Sequence, residues 1–256
     1  MIHKKSVVLI VLMCLMASVV PAQQTSSSAA RAAEEARNLE QQADAFRSQK
    51  DYVHALEFYD QALRRAPKNA LLWNKSGMAE LQLGHGEAAR RRFEKAVKLK
   101  KNYAEAVNNV GVIYYQQKNY RRAIEQYKKA LAIRDSASFH SNLGAAYFDQ
   151  KDYKTATQEY LRALQLDPEV FLRTSATGIS AHVSKPEDRA RYAFMLARLY
   201  AQAGDTPHCL NQLRTAMENG YPKLKETVQQ DEVFAAVRED PKFAELMQAD
   251  VPSIPQ

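Results

Sequence analysis

The pattern small–x3–aromatic–x2–Ala returns along this chain at a nearly fixed interval, and no other feature restricts the fold as much. It stands as Ala55, Tyr59, Ala62, then Ala89, Phe93, Ala96, then Ala123, Tyr127, Ala130, and finally Ala156, Tyr160, Ala163. The leading alanines are 34, 34 and 33 residues apart. Upstream of each copy lies a second apolar-periodic stretch: Leu39, Ala43, Phe46; Trp73, Gly77; Val107, Val110, Gly111, Tyr114; Leu143, Gly144, Tyr147. Both stretches have helical spacing, so the unit is a helical hairpin. One hairpin cannot bury both of its apolar stripes, so neighbours must stack. Composition supports helices over a turn-dense β-fold. The 256 residues contain only 8 Gly and 9 Pro, and between residues 23 and 185 the only prolines are Pro67 and Pro168.

These residues resemble the tetratricopeptide repeat family, whose 34-residue unit is a helix–turn–helix. Pro67 and Pro168 stand at the family's closing proline, Trp73 at its opening aromatic, and Gly77, Gly111 and Gly144 at its small helix-contact position. Tyr52, Tyr120 and Tyr153 stand at the start of the second helix. Glu80 departs from the pattern where an aromatic is usual, and Lys101 and Asp135 stand where proline is missing. The expected fold is all-α: a helical-hairpin solenoid with a right-handed superhelix and C-terminal capping helices. Four units are expected over residues 31–168, at about 36–69, 70–103, 104–136 and 137–168.

The period breaks after Pro168. Residues 169–185 read as an irregular insertion, and 186–220 as a fifth, divergent hairpin in which Cys209, Leu213 and Ala216 match the pattern again. Thr206 is the expected N-cap of its second helix, with Pro207 opening it. Residues 221–250 carry two short helix signals, Asp231 ahead of 232–238 and Asp240-Pro241 ahead of 242–248, and are expected to cap the stack. Residues 251–256 form an expected disordered tail.

At the N-terminus, Met-Ile-His-Lys-Lys precedes an apolar run over residues 7–20 and then Pro21-Ala22-Gln23. A basic start, a short apolar core and small residues make a secretory signal peptide. The run is short of the roughly 20 residues needed to span a bilayer. Residues 1–22 are expected to be cleaved after Ala22, leaving 23–30 as a disordered linker and an exported, periplasmic or envelope protein with no stable membrane span. Cys14 would leave with the leader, so Cys209 has no partner for an internal disulfide and reads as a buried, inert thiol.

No catalytic constellation is legible. The six histidines form no metal spacing, and no nucleophile elbow, phosphate loop or dinucleotide fingerprint is present. No cofactor, metal, small-molecule substrate or nucleic acid is expected. A basic run, Arg90, Arg91, Arg92, Lys95, Lys98, Lys100 and Lys101, with Glu94 its only acid, reads as an outer face.

The resemblance implies a protein or peptide partner held in a groove lined by the first helices. The carried-over groove residues are Asn74, Met78, Asn108, Asn109, Val112, Tyr115, Asn142 and Phe148. Asn109 and Asn142 would offer amides to a peptide main chain, and Tyr115 and Phe148 would wall side-chain pockets. The paired cations of the family's grip on a terminal carboxylate are missing. The expected function is an exported interaction scaffold; the alternative is an assembly factor of a pilus- or secretion-type envelope complex, working through its basic face or its ends.

Overall fold

A computed structural model describes residues 20–171 and 185–249 of the chain. Among them are thirteen α-helices, one 3-10 turn and no strand. In order they are α1 (Val20–Ser48), α2 (Tyr52–Arg65), α3 (Ala70–Gln82), α4 (Gly86–Leu99), α5 (Ala104–Gln116), α6 (Tyr120–Ile133), α7 (Ala137–Asp149) and α8 (Tyr153–Leu166). There follow α9 (Pro186–Gln202), α10 (Thr206–Glu218), α11 (Leu224–Gln230), the 3-10 turn (Glu232–Phe234), α12 (Ala235–Arg238) and α13 (Pro241–Gln248). Consecutive helices pair as hairpins, the all-α solenoid class that the period demands. The chain divides into two compact units, Met1–Ile113 and Tyr114–Gln256.

In the first unit α1 pairs with α2 and α3 with α4. The core of the first hairpin is Ala43, Ala55, Tyr59, Ala62 and Leu63, closed by Leu72 and Ala79 of α3. Small residues set the helix spacing: a Cβ on Gly77 would lie 2.7 Å from the fully buried Phe93 ring. Asp51 and Asn69 cap α2 and α3 by accepting from backbone N–H groups, which satisfies donors that helix geometry leaves open. Lys50 and Gly84 end the first helices with positive φ, 61° and 81°. Glycine is the usual residue there, and a lysine offsets part of its strain by placing a cation beside a helix C-terminus.

In the second unit α7 pairs with α8 and α9 with α10. Gly144 lies against Tyr160 as Gly77 lies against Phe93: a Cβ there would meet the ring at 2.8 Å. Asn119, Asp152 and Asp205 cap α6, α8 and α10. Asp205, not Thr206, is the N-cap of α10, because its carboxylate reaches the His208 N–H and leaves Thr206 and Pro207 inside the first turn. Cys209 is fully buried, and burial, with the Asp205 carboxylate adding to it, pushes its thiol up to about 12. A thiol so placed carries almost no thiolate at neutral pH.

Two differences from the sequence reading concern the ends. Helix α1 already runs from Val20, through residues 23–30 that were expected to be disordered. The alanine- and glutamate-rich stretch that follows propagates helix back toward the N-terminus. Beyond Gly220 there is an additional helix, α11, whose two buried apolar residues, Leu224 and Val228, are too few to register as a periodic signal. The 3-10 turn, α12 and α13 bury Phe234, Val237, Phe243 and Leu246, and an Arg198–Asp231 ion pair fastens this piece to α9. The insertion lies largely, and the tail over 251–256 wholly, outside the described residues.

The repeat aromatics divide by what their hydroxyls do. Tyr59 donates to Asp44 Oδ1 at 2.5 Å, whereas the Tyr127 hydroxyl is buried without a partner. Burial raises the pKa of both phenols, and at Tyr59 the Asp44 carboxylate adds to it. Tyr59→Phe is expected to cost about 1.5–3 kcal/mol, as for a bond to a charged group. Tyr127→Phe is expected to be neutral or stabilising by roughly 1 kcal/mol, because it removes a desolvated hydroxyl. Urea midpoints of the two variants check this; a loss at Tyr127 as large as that at Tyr59 would refute it.

Candidate functional site

The first helices carry the residues expected to line a groove, and the structure uses most of them to join hairpins. In the first unit Asn109 Nδ2 donates to Asn74 Oδ1 at 3.0 Å, and Asn108 Nδ2 approaches Asn109 Oδ1 at 3.4 Å. Asn74 Nδ2 lies 3.9 Å from the sulfur of Met78. Asn74, Asn108 and Asn109 are 5%, 1% and 2% exposed, and Val112 is buried beside them. Only Met78 keeps partial exposure.

The same inter-hairpin contact occurs one repeat earlier with charges instead of amides. Lys75 stands 35 residues from Glu40, the separation of Asn109 from Asn74, and donates to Glu40 Oε1 at 2.6 Å. Lys75 also donates to Asp44 Oδ2 at 2.6 Å. Burial alone would raise the Asp44 carboxyl, but the bonds from Lys75 and Tyr59 together hold it below the ordinary range. Lys75 is therefore occupied by two acids of its own chain.

In the second unit Asn142 is wholly buried in α7. The Tyr115 hydroxyl donates to Asp149 Oδ2 at 2.6 Å, and its ring meets Tyr120 edge-on. Phe148 packs edge-on against Tyr153 and Tyr192. A hollow of about 220 Å³ does open beside Phe148, between Lys118, Asp149 and Tyr153, below the roughly 300–1,000 Å³ of ligand pockets. The expectation that Asn109 and Asn142 present amides to a peptide is thereby corrected. A polar residue recurring on a helix reads as exposed, but both side chains are buried, and the Asn109 amide bonds Asn74 of the preceding hairpin.

A different surface has the features of a site. Between α2, α3 and α4 lies a cleft of about 730 Å³. Its floor is made by the departure at Glu80. That carboxylate is 6% exposed and receives Arg92 Nε at 3.2 Å, with His85 Nδ1 at 2.8 Å on its other oxygen. Arg92 also makes a two-pronged contact to Asp60 of α2, at 2.5 and 3.1 Å. Fork-to-fork pairing of this kind fixes geometry as well as charge. Arg90 is likewise taken, bridging Glu87 and Glu94 at 2.8 Å each. The basic run is thus not uniformly free: Arg90 and Arg92 are already paired, and Arg91 and Lys95 are exposed with no ion pair among the described residues.

The walls of the cleft mix these cations with apolar surface. Arg64, Arg91 and Lys95 stand beside Leu63, Trp73 and Ala88. Trp73 is held in place by its indole N–H, which donates to the Pro67 carbonyl at 2.9 Å, and its ring packs against the cores of both neighbouring hairpins. Elsewhere His140 lies between Glu159 and Asp135, at 2.6 and 2.8 Å, with Arg162 also on Asp135, a cluster that ties α7 to α8. Among the described residues no three or more His, Cys, Asp or Glu stand grouped as metal ligands would, and no helix is long and apolar enough to cross a membrane.

Comparison with known proteins finds the repeat directly. A family model described as "TPR repeat" matches residues 111–151, and models described as "Tetratricopeptide repeat" match 39–71 and 137–170. Over 88 residues the chain is 28% identical to the Hsp70-Hsp90 organizing protein of Triticum aestivum, which covers 34% of this chain and 15% of that protein. Over 98 residues it is 29% identical to the small glutamine-rich tetratricopeptide repeat-containing protein 2 of Saccharomyces cerevisiae, covering 38% of this chain and 28% of that one. The chain thus spans less than a third of the length of these relatives. Among solved structures, MamA from Desulfovibrio magneticus RS-1 superposes with a TM-score of 0.51 at 19% identity, over 77% of this chain and 98% of that one. A thermophilic tetratricopeptide-repeat protein of Thermus thermophilus gives 0.50 at 20% identity, over 79% and 98%. At such identities the likeness is one of fold.

Proposed function

Because this chain is a tetratricopeptide-repeat protein, we propose that it is an exported, non-catalytic scaffold that holds a partner protein at the surface of its second helices. Tetratricopeptide repeats mediate protein–protein interaction, and that much applies to this chain as a repeat protein. The observation that carries the reading is how its polar side chains are used. Lys75, Asn74, Asn109 and Arg92 are spent holding one hairpin to the next, so the machinery is that of a stack and not of a reaction centre. The basic start and apolar run of residues 1–22 support export.

The peptide grip by Asn109 and Asn142 has no support from side chains buried this deeply. Exposed Arg91 and Lys95 favour the second reading, a fixed partner in an envelope assembly that touches the basic face. Purification from an envelope fraction after chemical cross-linking should yield one saturable, stoichiometric protein partner. Finding no partner above a heat-denatured control would overturn the scaffold. The same preparation should show by intact mass a mature chain beginning at Gln23, and retention of residues 1–22 would overturn the cleavage.

A further inference from the structure

We infer that the cleft between α2, α3 and α4 is the docking site for an acidic segment of a partner protein that carries an apolar side chain; this rests on the scaffold reading and gives it an address. Two properties of the cleft choose that occupant. Its walls hold three exposed cations, Arg64, Arg91 and Lys95, none of them in an ion pair or hydrogen bond among the described residues. The acids that line it, Asp60 and Glu80, both bond Arg92, and the other three lining cations outweigh the one negative charge this leaves. The surplus charge offered to a ligand is therefore positive, and a carboxylate-bearing segment complements it.

Between those cations the surface is apolar: Leu63, Ala88 and the Trp73 ring. A tryptophan fixed by its own hydrogen bond and flanked by arginines loses little side-chain entropy on contact, the property of residues that dominate interfaces. An apolar side chain of the partner would meet this surface, with acidic neighbours on either side meeting the rim cations. Glu80 and Asp60 hold the Arg92 guanidinium between them, so Arg64, Arg91 and Lys95 are the cations left to meet a ligand.

The test uses the full mature chain, whose one tryptophan lies in the cleft. A fluorescein-labelled peptide of glutamates and aspartates around a central Leu-Phe pair is titrated, reading peptide polarisation and Trp73 emission together. Both signals should saturate with one midpoint. Arg91→Glu with Lys95→Glu should weaken binding by about tenfold or more, since two attractive contacts become repulsive. Lys98→Glu with Lys101→Glu, the same charge change outside the cleft, should move it by less than about twofold at physiological salt. Equal binding by the two double variants would overturn the cleft, as would the absence of saturation. So would a Trp73 response to phosphatidylglycerol vesicles but not to peptide, since the patch would then serve a membrane surface. If the Arg91, Lys95 variant still captures the envelope partner as the native chain does, the cleft is wrong and the scaffold stands. If neither captures a partner, the scaffold itself fails.

Discussion

Gly144→Val lowers stability in the native background and does so far less once Tyr160 has been cut to alanine. The first loss is expected at roughly 1–3 kcal/mol, the usual cost of forcing extra methyl groups into a filled core. The cause is local: even one Cβ at Gly144 would come within 2.8 Å of a ring that is completely buried and has nowhere to turn. Glycine's poor helix propensity, about 0.8–1 kcal/mol below alanine, returns only part of that loss. Tyr160→Ala alone should cost about 3–5 kcal/mol through the cavity it leaves. In the double variant valine enters part of that cavity, so a coupling of about 0.5–3 kcal/mol should appear in a urea double-mutant cycle. Strict additivity would mean that the close approach of α7 and α8 does not set the packing of the second unit.

The second large effect separates structure from recognition at Asn109. Asn109→Ala should destabilise the first unit by about 1–3 kcal/mol, since the carbonyl of Asn74 then lies buried without its donor. Replacing both partners, Asn109→Leu with Asn74→Leu, should recover most of the loss, because no polar group is then left stranded. Thermal melts check both statements, with capture of the envelope partner measured beside them. If Asn109→Ala leaves the melting temperature where it was and abolishes capture, the amide faces a ligand after all and the buried pair is wrong.

Hairpin order and helix identity were legible because they rest on a pattern that each repeat states for itself. Ala55–Tyr59–Ala62 and its copies name the buried face of every second helix without any knowledge of the neighbour. Gly77 and Gly144 were equally readable as points of close approach, for glycine in a helix needs a packing reason. The site was not readable on the same terms. Whether Asn109 points to water or to Asn74 depends on a contact across 35 residues, which single-repeat periodicity does not contain. One signal did exist. Asn109 and Asn142 occupy one repeat position, and each lies two residues from a small helix-contact glycine, Gly111 or Gly144. Arg92 was misread for a related reason: charges close in sequence look like one solvated face, but successive helix residues point in different directions. Its partner Asp60 lies one hairpin away.

Hairpins built on one recurring pattern share nearly the same apolar face, so on hydrophobic contact alone each could sit on any other. The Asp60–Arg92–Glu80 cluster removes that interchangeability at the first junction. Its three members come from α2, α3 and α4, and the equivalents of Arg92 in later second helices are Gln126 and Glu159. A misordered neighbour would therefore set Asp60 against a glutamine or a second carboxylate in place of its two-pronged guanidinium, while Glu80 and Arg92, on one hairpin, stay together. The first two modules behave like a lock and its own key, so this array tolerates lengthening by duplication at its later repeats far better than between α2 and α3.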